Sequence, residues 1–427
     1  MSKKVEIRLL ASPQMTEQGE DKVVRFPLRA RSFFGFSNSK AVVVGHSGGE
    51  ELHLTIKQAY VRDVNKMMKM LKEGELTEDE LLGVGFVSRR TLAAIKKDGE
   101  GTCWISSSPG HLTIGCDPEF GLVEMMGKAG ILHRGDHVLP HSESKGFGAD
   151  GPGVEVRPKA TTDHNVLVDN IQSELEGAPV AARKFDWVGG ASFSDANRIY
   201  WFGGHIHLGR PAAVGKQIAR ACYEKIATAL DHMIALPMVS FDTPNPHFRR
   251  NGCPQRYGKA GDIRDDYPEE NRFEYRVPSG LWLIHPTLAK VVLGTAKCVA
   301  ETSYGKIVDT GCDMEYITGG LNRKHTLLSD LGLHGLREVG AVINNANPAD
   351  LGPETRSYWE NNLRNLDRYD AYKDEIEAFI AVAQEAPGNV VPQINLDIKR
   401  NWFDRPKFLP KASGALRLAL DAVEEKE

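Results

Sequence analysis

Apolar and charged residues alternate along four segments between residues 112 and 283. Their sequences are LTIGCDPEFGLV, GVEVRP, IYWFGGHIHLG and RFEYRVPSGLWL. Alternation with a period of two predicts strands that bury one face and present charged groups on the other. These segments therefore predict a sheet whose polar face carries the chemistry.

Stretches with helical periodicity follow or separate these strands. Asp163 is suited to cap a helix, and Pro286 fits the first turn of another. Apolar residues recur at helical spacing in three stretches: Val166, Leu167, Ile171 and Leu175; Ile218, Cys222, Ile226, Leu230 and Met233; and Leu288, Val292, Ala296 and Val299. Strands and helices in this order predict an α+β fold with a largely antiparallel sheet.

The two regions that flank these motifs have other secondary-structure patterns. Residues 1–107 combine short strand-like runs with a helical pattern from Ile56 to Leu71 and are interpreted as an accessory α/β module. Residues 323–427 are predicted to be mostly helical, with a long polar helical stretch from Glu354 to Glu385. This C-terminal extension is interpreted as a scaffold or as an element of a homo-oligomer. The catalytic domain is assigned to residues 108–322.

Composition narrows the class of protein. The 427 residues carry a formal net charge of -4, which gives no bulk attraction to nucleic acid or to a membrane surface. No segment approaches the roughly 20 apolar residues of a membrane span. The six cysteines have no paired spacing, which is typical of reduced thiols. We therefore expect a cytoplasmic protein that binds anionic ligands through local groups.

The first two motifs each place charged residues on one strand face. In GCDPEF at 115–120, Asp117 and Glu119 are two positions apart and share a face. In DGPGVEVRP at 150–158, Glu155 and Arg157 share a face. The glycines of the second motif permit a tight turn that could direct Asp150 towards the same site.

The other two motifs add imidazoles and arginines. GGHIHLG at 203–209 puts His205 and His207 on one face, a spacing that suits a metal or a phosphate. In RFEYRVPSG at 272–280, Arg272, Glu274 and Arg276 share a face. Each motif alone has a simpler structural interpretation, as a surface turn, a structural histidine pair or a ladder of ion pairs.

Taken together, the four motifs predict a shared binding surface. A sheet face so rich in carboxylates is costly to assemble without hard cations. Carboxylate oxygens suit Mg²⁺ or Mn²⁺ better than structural zinc, which usually recruits thiolates. Several such ions beside arginines indicate a polyphosphate ligand, so the pattern predicts ATP.

These four motifs, in this order, resemble the carboxylate-amine ligases of the glutamine synthetase and glutamate-cysteine ligase fold, most closely the amidoligases of phiEco32-type phages. The resemblance covers roughly residues 108–300. It implies a curved antiparallel sheet flanked by helices and folded round a funnel, which ATP enters at one end and the substrates at the other. It also implies an ATP- and Mg²⁺-dependent ligase, cytoplasmic in the host cell, that joins a carboxylate to an amine through an acyl phosphate.

The resemblance implies roles residue by residue. Metal ligands are expected at Asp117, Glu119, Glu155, His205 and Glu274. His207 is expected to contact the nucleotide or its phosphates, and Arg276 to stabilise the transferring phosphoryl group. Arg157 either takes part in catalysis or braces Glu155. Asp150 is a candidate base for the attacking ammonium.

A glycine-rich, basic loop, RYGKAGDIR at 256–264, lies between the third and fourth motifs. Similar loops in the resembling family approach ATP or the acyl phosphate. Nucleotide contacts are therefore expected from Arg256, Tyr257, Lys259 and Arg264, with a solvated surface turn as the alternative. Two other functions stay open: a metal-dependent amide or phosphate hydrolase, and a non-catalytic nucleotide-binding phage structural protein.

Overall fold

The chain groups into two units in the computed structural model. One comprises Met1–His111, Pro211–Ala219 and Tyr304–Gly320, and the other comprises Leu112–Arg210, Arg220–Ser303 and Leu321–Glu427. The structure describes residues 4–12, 23–26, 40–44, 51–59, 61–75, 84–87, 92, 103–106, 112–126, 129–139, 146–196, 198–209, 219–242, 258–265, 272–309, 339–385, 395–412 and 414–424. The domain boundaries predicted near residues 107 and 322 stay predictions.

The first unit contains a closed barrel of six described strands. These are β1 (Lys4–Ala11), β2 (Val23–Phe26), β3 (Lys40–Val44), β4 (Glu51–Gln58), β5 (Val84–Val87) and β6 (Cys103–Ser106). They follow the order β1-β5-β2-β4-β3-β6, and β6 pairs back to β1. The pairs β1–β5 and β2–β4 are parallel, and the other pairs are antiparallel.

Helix α1 (Val61–Lys72) accompanies the barrel. Its Met67 is buried together with Ala59 and with Phe86 of β5. Ile56 belongs to β4, so the helix predicted to begin at Ile56 begins at Val61 instead. Leu52, Leu54 and Ile56 alternate with polar residues, and this two-residue period is that of a strand, so Ile56 continues the strand.

The second unit is built on an antiparallel sheet. Its strands are β7 (Ile114–Met126), β8 (Ala129–His133), β9 (Gly146–Asp150), β10 (Gly153–Arg157), β11 (Asp186–Val188), β14 (Gly204–Gly209), β15 (Ile263–Arg264) and β16 (Arg272–Tyr275). The order is β15-β16-β14-β7-β10-β9, while β8 and β11 both pair with the far end of β7. A separate hairpin joins β12 (Ser192–Ser194) and β13 (Ile199–Trp201).

Helices flank this sheet. They are α2 (Gly135–Val138), α3 (His164–Glu176), α4 (Val180–Arg183), α5 (Ala219–Leu230), α6 (Leu236–Met238), α7 (Pro286–Asp309), α8 (Val339–Asn345), α9 (Pro353–Arg364), α10 (Lys373–Gln384), α11 (Ile398–Phe403) and α12 (Gly414–Glu424). A π-helical turn, Asp231–Ala235, joins α5 to α6, and 3-10 turns occupy Gly280–Ile284, Pro348–Asp350 and Tyr369–Ala371. The predicted α+β class, with an antiparallel sheet flanked by helices, is confirmed.

Two predicted helix starts are confirmed, and one predicted stretch is broken. Asp163 caps α3, where its side chain accepts a hydrogen bond from the Asn165 N–H, and α7 begins at Pro286. The polar stretch from Glu354 to Glu385 forms two helices rather than one run. Asn365 ends α9, and Asn and Asp side chains compete for backbone hydrogen bonds, which favours a break between the helices.

The apolar side of the sheet forms the core of the second unit. Side chains on this side are at most 2% exposed: Cys116, Phe120, Val154, Val156, Ile206, Leu208, Phe273 and Tyr275. Tyr223 of α5 stacks on Phe273 with ring centroids 4.5 Å apart. Full burial of each large apolar side chain stabilises the fold by roughly 1.5–3 kcal/mol. The sheet is thereby fixed with its charged groups on the opposite side.

Among the described residues, no helix combines the length and the apolar character needed to cross a membrane.

A buried histidine at the start of α7 is expected to make the unfolding free energy depend on pH. His285 Nδ1 accepts from the Thr287 N–H at 3.1 Å, and Nε2 donates to the Pro406 carbonyl at 2.8 Å. Burial, aided by the charge of Arg405, lowers its pKa to about 4. The neutral ring therefore stabilises the fold fully above pH 6.5, and up to about 3 kcal/mol is lost as the pH falls from about 6.5 to about 4.

Urea unfolding at several pH values in this window measures the effect. In His285→Gln the loss of stability with falling pH should be shallower. His232 has a pKa lowered to about 4 by burial and supplies the residual slope. The matched control is His137→Gln, because the side chain of His137 is 74% exposed. An unchanged slope in His285→Gln would contradict the assignment.

Candidate active site

β7 is the central strand of the polar face. Asp117 and Glu119 project to this face, while Cys116 and Phe120 project to the core, as predicted from their alternation. Asp117 pairs with His205 of β14, and Glu119 pairs with Glu155 of β10. Directly paired residues project to the same face of a sheet. The first three motifs therefore meet on one surface.

The fourth motif and the basic loop join the same surface through Glu274. This residue of β16 pairs with His207 of β14 on one side and with Arg264 of β15 on the other. The predicted convergence of the four motifs is confirmed as geometry. The register of the paired strands, which brings the motifs together, is seen only in the folded sheet.

Two imidazoles lie between Asp117 and Glu274. His205 Nδ1 is 3.2 Å from Asp117 Oδ1 and 3.1 Å from Glu274 Oε1. His207 Nε2 is 3.1 Å from Asp117 Oδ2 and 4.0 Å from Glu274 Oε2. All four side chains are almost completely buried. In this site two carboxylates and two imidazoles are thus packed within a few ångströms.

The charges in this cluster are mutually dependent. Burial raises the pKa of Asp117, but the neighbouring His207 and His205 outweigh it and hold that pKa well below its usual value. The pKa of Glu274 is likewise lowered, because its hydrogen bond with His205 and the charges of both imidazoles outweigh burial. Burial lowers the pKa of His205, yet Asp117 and Glu274 raise it to about 10. Both carboxylates are therefore ionised at neutral pH.

The other end of the polar face is dominated by acids. Glu155 is buried beside Glu119 and forms an ion pair with Arg157. Burial, followed by the charge of Asp117, raises the pKa of Glu155 to about 10 despite the opposing effect of Arg157. Burial is the largest cause of this shift, and the negative charges of Glu119 and Asp150 add to it. A bound cation would relieve it.

Asp150 lies at the rim of this acidic end. It is the last residue of β9, pairs with Gly153, and is exposed. Gly151, with a φ of +55°, starts the two-residue turn that brings β10 back along β9. The predicted turn is confirmed. Because Gly148 of the same strand pairs with Glu155, and Asp150 is two residues from Gly148, Asp150 and Glu155 project to the same face.

Two arginines bind Glu274 from outside the imidazole cluster. Arg264 Nε donates to Glu274 Oε2 at 2.7 Å, and Arg276 Nε lies 3.2 Å from Glu274 Oε1. The side chain of Arg264 is 35% exposed and that of Arg276 is 22% exposed, so solvent reaches both. Lys259 is exposed in the turn that precedes β15. Arg256 and Tyr257 lie outside the described residues.

Gly203 contributes to the site in a way that sequence reasoning missed. Its N–H donates to Glu119 Oε2 at 2.7 Å, which fixes that carboxylate. A Cβ on Gly203 would lie 2.2 Å from Nε2 of His205, so only glycine leaves room for the imidazole. The glycine pair that precedes HIH was the available sequence signal.

The described residues fit the predicted divalent cation. Asp117, His207 and Glu274 can each offer one ligand atom, and these atoms lie within 4.8 Å of one another. Asp117 Oδ1 and Glu274 Oε1 share one nitrogen, His205 Nδ1, at 3.2 and 3.1 Å, and a single N–H cannot fully satisfy both oxygens. Such atoms are costly to bury unless a charge or a metal satisfies them. Two carboxylates and an imidazole are suitable ligands for Mn²⁺ or Mg²⁺.

Cys116 takes no part in the polar face. It is 2% exposed on the apolar side. Burial, together with the charges of Asp117 and Glu155, raises its thiol pKa well above the usual value. A buried thiol that stays protonated serves to pack the core, which is consistent with the reduced thiols expected from the cysteine spacing.

The sheet and its polar face define a class of protein. Buried carboxylates and imidazoles flanked by solvent-accessible arginines are the kind of centre that an enzyme acting on charged substrates requires. Residues 114–313 match the model of the family described as phage phiEco32-like COOH.NH2 ligase-type 2. The matched span contains all four motifs, from GCDPEF to EYRVPSG, and confirms the predicted resemblance. The family's description is that of a carboxylate-amine ligase.

The chain also has a weak similarity to a solved structure. The cryo-electron microscopy structure of Plasmodium falciparum glutamine synthetase is 9% identical, with a TM-score of 0.32, over 78% of this chain and 82% of that chain. No curated protein matches the chain.

Proposed function

We propose that the protein is an ATP- and Mg²⁺-dependent ligase that joins a carboxylate to an amine through an acyl phosphate. The observation that carries the proposal is the meeting of the four motifs on one sheet face, within the span matched by the ligase family. Neither a packing role nor a surface ladder of ion pairs accounts for carboxylates and imidazoles this deeply buried.

The cation is assigned to the cluster around Asp117. Asp117, His207 and Glu274 offer ligand atoms close to one another, and Glu119, Glu155 and His205 are the further ligands predicted from the resemblance. When bound there, Mg²⁺ would offset the repulsion between the anionic carboxylate and the triphosphate. A hydrogen bond from the Gly203 N–H keeps Glu119 in place for this role, and an ion pair with Arg157 does the same for Glu155.

The proposed reaction has two steps with balanced bonds. A carboxylate oxygen of the first substrate attacks the γ-phosphorus of ATP, an O–P bond forms, and the bond to the departing ADP oxygen breaks. The nitrogen of the second substrate then attacks the acyl carbon, a C–N bond forms, and the C–O bond to phosphate breaks. Phosphorylation is needed because a free carboxylate is a poor electrophile with a poor leaving group.

The chain supplies charge and a base to these steps. Arg276 is anchored to Glu274 through Nε yet remains partly exposed, so it can hold negative charge on the transferring phosphoryl group. Arg264 shares the same anchor and is assigned, with Lys259, to the triphosphate. Asp150, exposed at the rim beside Glu155, is assigned to accept the proton released by the amine.

Incubation with ATP, Mg²⁺ and a mixture of amino acids, polyamines and peptides tests the proposal. We expect ADP, phosphate and a product whose mass equals that of two substrates less one water, all dependent on both substrates. Mass spectrometry and an ADP assay measure these. Substrate cleavage without ATP would replace the ligase by a metal-dependent hydrolase. ATP binding without any product would indicate the non-catalytic nucleotide-binding protein.

A further inference from the structure

A turn at the edge of the polar face is built by its own hydrogen bonds. In the segment Gly258–Asp262, the Gly258 N–H donates to Asp262 Oδ2 at 2.7 Å, and the Asp262 N–H donates to the Lys259 carbonyl at 3.0 Å. Gly258 and Gly261 have φ values of +89° and +75°, which glycine adopts without strain. The turn therefore has one preferred conformation.

This turn is tied directly to the candidate active site. The Arg276 N–H donates to the Asp262 carbonyl at 3.0 Å, so the backbone of the turn fixes the backbone of Arg276. β15 continues from the turn and carries Arg264 to Glu274. Lys259 is exposed at the tip of the same turn. The turn and the β15 strand that follows it thus place three cationic side chains, those of Lys259, Arg264 and Arg276.

A side chain from the C-terminal helices completes the turn. Asn344, at the end of α8, accepts the Ala260 N–H through Oδ1 at 2.9 Å. One helical turn earlier, Gly340 also faces Ala260, because a Cβ at Gly340 would lie 3.5 Å from the Cβ of Ala260, an ordinary van der Waals contact. The Ala260 N–H is part-buried, so losing this acceptor would leave a donor without its bond.

We infer that Asn344 is a positioning residue for anion binding by the Gly258–Asp262 turn, which makes helix α8 part of the ligand-binding apparatus. The inference rests on the proposed function only in assigning the anion to a triphosphate. Asn344 acts through the backbone of Ala260 and so on Lys259 and Arg276, and itself needs no contact with the ligand. The C-terminal extension then has a role beyond that of scaffold.

Calorimetric titration with Mg²⁺-ATP and with Mg²⁺-tripolyphosphate tests this inference without requiring turnover. Asn344→Leu removes the acceptor and should weaken binding of both probes about five- to tenfold, the scale of one lost hydrogen bond. Asn344→Asp keeps an acceptor oxygen at the same position and should bind within about twofold of the parent protein. Asn361→Ala, an exposed asparagine of the neighbouring α9, is the control.

A double-mutant cycle separates positioning from general stability. If Asn344 acts through the turn, Asn344→Leu should weaken binding much less in a Lys259→Ala background than in the parent protein. Loss of this hydrogen bond should lower the melting temperature of Asn344→Leu by roughly 2–8 °C, so titrations at 25 °C compare folded proteins. Equal binding by Asn344→Leu and the parent, or full additivity with Lys259→Ala, would overturn the inference.

The same experiments distinguish this inference from the proposed function. The protein could bind tripolyphosphate in a way that depends on Asn344 and yet form no amide product. That result would contradict the proposed ligase function and support the positioning role of Asn344. If the protein forms the amide and Asn344→Leu does not change the KM for ATP, the positioning role of Asn344 is contradicted and the ligase function is supported.

Discussion

Replacing Glu274 with glutamine is expected to lower amide formation at least about 1,000-fold while the chain stays folded. Glu274 is 1% exposed and is contacted by His205, Arg264 and Arg276. Glutamine keeps the volume and one acceptor oxygen but removes the negative charge. The two arginines and His205 would then repel a cation that the intact carboxylate attracts.

Product formation at saturating ATP and Mn²⁺ binding by electron paramagnetic resonance measure this effect. Glu377→Gln is the matched control, because Glu377 of α10 pairs with Arg364 of α9, outside the sheet, and its side chain is 27% exposed. The control should keep both activity and Mn²⁺ affinity. Undiminished turnover in Glu274→Gln would remove Glu274 from the metal site. A large loss of melting temperature in Glu274→Gln alone would assign it a structural role.

The face of each charged residue could be predicted from the sequence, because side chains alternate along a strand whatever its partners are. This holds for Asp117 and Glu119, and for His205 and His207. Which residues touch across strands depends on the register, and alternation does not encode it. The pairing of Arg264 with Glu274 is an example, since two residues of β15 gave too short a pattern to be recognised as a strand.

Long-range pairing was also beyond the sequence. The strand-like runs of β1, β3 and β4 were visible, but their closure into a barrel brings together β1 and β6, which are far apart in the chain. Short strands such as β5 and β6 carry little pattern of their own and are specified by their neighbours. Asn344 was invisible for the same reason, because 84 residues separate it from Ala260.

The glycines of the third and fourth motifs mark backbone contacts that no side-chain pattern reveals. Gly280 lies where the chain after β16 crosses β7: a Cβ on it would be 2.3 Å from the Glu119 carbonyl oxygen and 3.2 Å from that of Gly203. The Gly280 N–H also donates to the Phe202 carbonyl at 3.1 Å. The end of the fourth motif therefore packs directly on the backbone of the first and third.

Gly280→Ala is expected to destabilise the second unit by about 3 kcal/mol and to lower the melting temperature by roughly 5–10 °C. The new methyl group meets backbone carbonyls, which cannot rotate away as a side chain can. Glu119 must therefore shift, and a displacement of about 1 Å at a ligand costs on the order of 100-fold in rate. Thermal unfolding and amide formation below the melting transition measure the two effects separately.

Gly352→Ala provides the control for this substitution, because a Cβ at Gly352 would have no atom within 4 Å. Gly352 precedes α9 with a φ of -67°, which alanine also adopts, so a change within about 1 kcal/mol is expected. Normal stability and activity in Gly280→Ala would mean that the two backbones are farther apart than the structure has them. Reduced activity at normal stability would instead place Gly280 beside a substrate. Loss of both, with Gly352→Ala unaffected, is what direct packing of the fourth motif on Glu119 requires.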